Sequence, residues 1–79
     1  MKEYIGILFT HSDAIRLSRE CRRRDIKHRL MPVPRKLSSN CGVCVNFHYG
    51  ENVEELIFSG VEKIFQVEDG SYVMVYEEE

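Results

Sequence analysis

No long apolar run occurs anywhere in these 79 residues. The longest, Ile5 to Phe9, falls far short of the roughly 20 residues that cross a bilayer, which excludes a membrane-spanning helix of ordinary length. Internal repeats, linkers and low-complexity segments are also missing. A chain this short buries only roughly 60% of the surface its unfolded form exposes. The expectation is one domain over residues 1–79, with a thin core and no lid or second domain to enclose a substrate. Cysteine is scarce and odd in number, three in all, which fits a reducing compartment better than a disulfide framework. No charged-then-apolar signal segment opens the chain, so a cytoplasmic location is expected. Positive charge nearly vanishes from the second half. Lys63 stands alone against nine acids in residues 37–79, a net −8, whereas residues 1–36 carry +6. This division reads as a solvated basic helix face beside an acidic half, or as a docking surface for an acidic partner or a nucleic-acid patch.

What is present has the periods of a small α+β domain. Tyr4 to Phe9 is apolar at nearly every position, as in a strand buried on both faces. Gly6 would weaken such a strand unless a helix packs closely over it. Thr10 followed by Asp13 resembles a capping box, with Ser12 as the competing cap. The helix that follows puts Ala14, Leu17 and Cys21 on one stripe, flanked by Ile15 and Ser18, and fades near Arg24-Asp25. His28 to Met31 reads as a short strand. Val43, Val45 and Phe47 alternate with Cys44, Asn46 and His48, the pattern of a half-buried strand. Glu51 or Asn52 is expected to open a second helix with the core stripe Val53, Leu56 and Ile57, ended by Gly60. Val61 to Val67 and Tyr72 to Tyr76 form a hairpin across Asp69-Gly70, pairing Val67 with Tyr72, Phe65 with Met74 and Ile64 with Val75. The order βαββαβ plus one C-terminal strand predicts a two-layer ferredoxin-like sandwich, with both helices on one face of a mostly antiparallel sheet.

Only two prolines occur, and both stand in the one stretch that has no helix or strand period, Pro32 to Cys44. Ser38, Ser39 and Asn40 lead into Cys41-Gly42, with Arg35 and Lys36 upstream. A thiol in such polar, partly cationic surroundings is favoured as a thiolate. In a right-handed split βαβ unit the first two strands run parallel. The loop bearing Cys41 then leaves the sheet at the end where the first helix begins, near His11 and the helix's unpaired N–H groups. The Cys41-x-x-Cys44 spacing admits a redox pair, a zinc site or a lone nucleophile followed by a strand residue. A thioredoxin-like pair would open a helix, and this one precedes a strand. Zinc needs about four ligands, and Cys21, His11, His28 and His48 stand at no paired spacing, so no metal is expected. Cys21 reads as a core residue. The RNA-binding form of such a sheet carries a Gly-rich aromatic motif on its third strand, which Val43 to Phe47 lacks; nucleic acid is not an expected partner.

A short strand ending in Phe9, a helix from Ser12-Asp13-Ala14, and the run Met31-Pro-Val-Pro-Arg-Lys-Leu-Ser-Ser-Asn-Cys41-Gly42 together resemble the small bacterial selenium/sulfur carrier-like domains, sometimes fused to relatives of the TusA sulfur carriers. The resemblance covers about residues 4–66. It implies a carrier without turnover of its own and without a cofactor, holding sulfur or selenium on Cys41. The matching motif sets Arg35, Ser38, Ser39 and Gly42 around that cysteine. It implies a donor protein and an acceptor protein as partners. An acid is commoner in the family where Lys36 stands, and a small or aliphatic residue where Cys44 stands, which leaves open whether Cys44 resolves a persulfide or packs. The alternative from another class is an interaction module, or a homodimer, associating through the Ile64/Val73/Val75 face, with a structural cysteine loop.

Overall fold

The computed structural model describes residues 1–37 and 42–78. Strands Lys2–Leu8 (β1), His28–Pro32 (β2), Val43–Tyr49 (β3), Val61–Glu68 (β4) and Ser71–Glu77 (β5) form one antiparallel sheet in the order β2-β3-β1-β4-β5. Among the described residues one α-helix, α1 (His11–Arg23), is present, and it crosses one face. The α+β class read from the sequence is therefore what forms.

The local signals act as the chemistry requires. Thr10 caps α1. Its hydroxyl oxygen accepts from the Asp13 amide at 3.1 Å and its O–H donates to the Asp13 carboxylate at 2.8 Å. The helix stops where Asp25 turns to φ 59°. There the Ile26 amide bonds the Cys21 carbonyl at 2.8 Å, the wrap-back typical of a left-handed cap. Ala14, Leu17 and Cys21 face inward and are buried. Gly6 of β1 lets the helix approach, since a Cβ there would lie 3.1 Å from Leu17 Cδ2 and 3.5 Å from Phe47 Cε1. Tyr4 stacks on Phe47, ring centroids 5.3 Å apart, to complete the layer under α1.

Three expectations need correction. The second helix is only a 3₁₀ turn, Val53–Leu56, capped by Asn52, whose side chain accepts from the Glu54 amide at 3.1 Å. Chain between Gly50 and Gly60 is too short to repay helix nucleation, and the turn closes through Ile57 N–H to Glu54 C=O at 3.2 Å. Only one helix therefore covers the sheet, and Leu56, Ile57 and Phe58 fill the place of the other against the core. Secondly, the hairpin register slips between Ile64 and Phe65, so Ile64 opposes Tyr76 instead of Val75, while Val67–Tyr72 and Phe65–Met74 pair as expected. Ile64 is buried at 1% exposure, so it belongs to the core and to no outer face, whereas Val73, Met74 and Val75 are exposed. Thirdly, β3 is not half-buried: Cys44, Val45, Asn46 and Phe47 are all buried.

The reason for that last correction sets up the site. The sheet has two cores. The larger lies under α1. The smaller, on the far face, is Ile5, Ile7 and Cys44, with the strand residues Met31, Phe65, Val67 and Tyr72 packed beside it and Val33 and Leu37 as its roof. The chain after β2 thus folds back over the sheet and buries the second face of its central strands.

Candidate functional site

β1 and β2 both run antiparallel to β3 and so point the same way. The last residue of β2, Pro32, pairs with Val43 at the start of β3, and Cys44 pairs with Ile7 near the end of β1. The loop between β2 and β3 is therefore rooted at the sheet end where α1 begins, as expected for a split βαβ unit.

Two backbone bonds shape the loop's described arms. The Val33 amide donates to the Gly42 carbonyl at 3.2 Å and ties the arms together at the base. The Leu37 amide donates to the Pro34 carbonyl at 3.0 Å, which closes a turn with Arg35 and Lys36 at its two central positions. Val33 and Leu37, one before and one after that turn, anchor the arm on the far-face core. The two cations between them stay exposed. Gly42 is exposed and holds φ 76°, a conformation open to glycine and strained for side-chain-bearing residues.

The expected site residues divide accordingly. Cys41, Ser38 and Ser39 lie outside the described residues. Arg35 and Gly42 stand on the two arms of the loop. His11 is the first residue of α1, exposed, at the same sheet end. Cys44 is fully buried beside Ile5 and Ile7, and its Sγ donates to the Pro32 carbonyl at 3.7 Å. Cys21 is a core thiol, as read, and burial pushes it up to about 11, with Glu20 adding to the rise and Arg24 opposing it. At neutral pH it is protonated and a poor nucleophile. Among the described residues no group of three His, Cys, Asp or Glu is placed to hold a metal ion.

The basic surface of α1 is partly committed inside the molecule. Arg16 lies 4.3 Å over the Phe58 ring. Arg23 and Arg24 both pair with Glu20, and these two partners' hydrogen bonds hold its carboxyl down at about 2. Arg24 also reaches the Tyr49 hydroxyl at 3.3 Å, which in turn donates to Glu55 at 2.6 Å. These contacts strap the 3₁₀ segment to the helix. Arg19 and Arg22 are exposed and enter no ion pair among the described residues.

What the sequence reading missed is the anchoring. Val33 and Leu37 are the apolar residues of an otherwise polar loop, and that contrast was the available signal. Asn46 and His48 were read only as the outer side of a strand, yet with Glu3 they build a polar corner of the far face.

Residues 3–67 match the family described as "Putative Se/S carrier protein-like". No curated protein and no solved structure matches the chain. The family match runs from β1 to the penultimate residue of β4 and takes in the whole of the Pro32–Cys44 loop, leaving only β5 beyond it. The chain belongs to this selenium/sulfur carrier-like family.

Proposed function

We propose that the protein carries sulfur or selenium on Cys41 and passes it from a donor protein to an acceptor protein. The observation that carries this reading is the family match over residues 3–67, which includes the Cys41 loop. The geometry of the described arms supports it. Arg35 and Gly42, on the two described arms that flank the Cys41 segment, are both exposed, and a carrier needs access more than enclosure. In the transfer, the Cys41 thiolate attacks the terminal sulfur of a donor persulfide, R–S–SH. One S–S bond forms as another breaks, Cys41 becomes a persulfide, and the donor leaves as its thiolate with no net oxidation. Arg35, Ser38, Ser39, His11 and the Gly42 amide hold the terminal anion through charge-assisted hydrogen bonds. An acceptor thiolate reverses the step: it attacks the terminal sulfur, and Cys41 leaves as its thiolate. Cys44, three residues on in sequence and buried on β3, either resolves a stranded persulfide as a disulfide, releasing hydrosulfide, or serves only to pack the far-face core.

The same reading takes the β4-β1-β3-β2 portion of the sheet as ferredoxin-like, with its second helix cut down to a 3₁₀ turn, in a cytoplasmic bacterial protein. The exposed Val73, Met74 and Val75 on edge strand β5 support a homodimer. The test is intact mass after exposure to a persulfide donor, in a Cys21→Ser/Cys44→Ser background. The expected result is one added sulfur, absent after Cys41→Ala. Labelling that survives Cys41→Ala, or no labelling in either protein, overturns the carrier and leaves the interaction module.

A further inference from the structure

A cavity of about 320 Å³ opens on the sheet face opposite α1, lined by Glu3, Lys27, His28, Arg29, Asn46 and His48. Strand register assembles it. Glu3 of β1 pairs with His48 of β3, Arg29 of β2 pairs with Asn46, and the His48 amide bonds the Lys27 carbonyl at 3.0 Å. His48 lies four positions along β3 from Cys44, about 13 Å at 3.3 Å per residue, so this end of the cavity stands apart from the roots of the Cys41 loop.

Two observations point to a ligand. His48 Nδ1 is buried and makes no hydrogen bond among the described residues. A buried polar nitrogen without a partner is costly, and native proteins rarely leave one so. The second observation is the charge of the walls. Asn46, at 8% exposure, donates Nδ2 to Glu3 at 2.8 Å and to the Tyr4 carbonyl at 3.4 Å, so the single carboxylate is already engaged at the floor. Lys27 and Arg29 are cations at the rim, both exposed, and the His48 imidazole joins them, whereas the His28 ring nitrogen Nδ1 lies 2.8 Å from the Ile26 carbonyl. No trio of His, Cys, Asp or Glu among the described residues is placed to chelate a metal. The volume is at the lower end of the about 300–1,000 Å³ of small-molecule sites.

We propose that this cavity binds a small oxyanion, with Lys27 and Arg29 neutralising its charge and His48 supplying a buried hydrogen bond. The site does not depend on Cys41, so it stands or falls separately from the carrier reading.

The probe is inorganic phosphate, titrated into the full chain while the ring-nitrogen resonances of His48 are followed by NMR, with chloride at matched ionic strength as control. The expected result is a saturable shift with phosphate and none with chloride. Lys27→Ala/Arg29→Ala, at two exposed positions, should keep the amide spectrum and weaken binding about tenfold or more, since two charge-assisted contacts are lost. Glu3→Gln, which removes the floor's negative charge, should tighten it. A shift that never saturates, an equal response to chloride, or a double variant that binds like the parent overturns the proposal.

Discussion

Val33 and Gly42 are joined by a backbone hydrogen bond of 3.2 Å across the base of the Cys41 loop, and Gly42 makes it at φ 76°. An added Cβ at Gly42 would meet nothing within 4 Å among the described residues, so the cost of a side chain against them is conformational. Gly42→Ala is therefore expected to cost about 1–2 kcal/mol, the penalty of the left-handed region for an alanine. Urea unfolding checks the magnitude. An unchanged midpoint would mean that the loop base relaxes and the bond is dispensable.

Leu37 holds the loop's first arm on the far-face core and is itself half-buried. Full burial of a leucine side chain contributes about 1.5–3 kcal/mol. Leu37→Ser should accordingly lose about 1 kcal/mol of stability, within the same order. It should also expose Cys44, which lies beneath this arm. In a Cys21→Ser/Cys41→Ser background, Cys44 alkylation should be faster in the Leu37→Ser variant than in its parent. Equal rates would show that the arm does not shield the thiol.

Cys21 gives the pH dependence a definite sign. Burial raises its folded value to about 11 from an ordinary 9.0. The native state therefore keeps the proton more tightly than the unfolded chain does. This contribution is fully present below about pH 9 and is lost as pH rises toward 11. Each pH unit between the folded and unfolded values corresponds to about 1.4 kcal/mol, so the loss is on the order of 3 kcal/mol. Cys21→Ala should flatten that alkaline slope in chemical unfolding measured across this window. A slope that persists unchanged would assign the alkaline loss to other groups.

Much of this fold was legible because short-range chemistry decided it. The Thr10–Asp13 box, the Ala14/Leu17/Cys21 stripe, the close approach at Gly6 and the Asp69-Gly70 turn each work through neighbours a few residues away or through one tight contact. Asp69 and Gly70 both take the positive φ that such a hairpin turn requires, 48° and 80°. The second helix was misread because Val53, Leu56 and Ile57 satisfy a helical stripe and a 3₁₀ turn equally well. Only the length of chain between Gly50 and Gly60 separates the two. The slip at Ile64 is a register event inside a strand pair, invisible to a pattern that counts outward from the turn. β3 was read as half-buried because alternation put Cys44, Asn46 and His48 on one side. What covers that side is Val33 and Leu37, from a segment with no period of its own. Of the site, Cys41 was picked out by its neighbours in sequence, whereas the cavity of Glu3, Asn46 and His48 depends on strands that meet only in the sheet.

The chain after β2 doubles as the roof of the second core, through Val33 and Leu37, and this limits how the Pro32–Cys44 segment can be moved or remodelled. Transplanting the Pro32–Cys44 segment onto another scaffold would require carrying its floor, Ile5, Ile7, Phe65 and Tyr72, along with it. Conversely, shortening the loop here would strip a layer from the molecule. Packing therefore leaves sequence change along this arm freest at the exposed Lys36 and constrains it most at Val33 and Leu37.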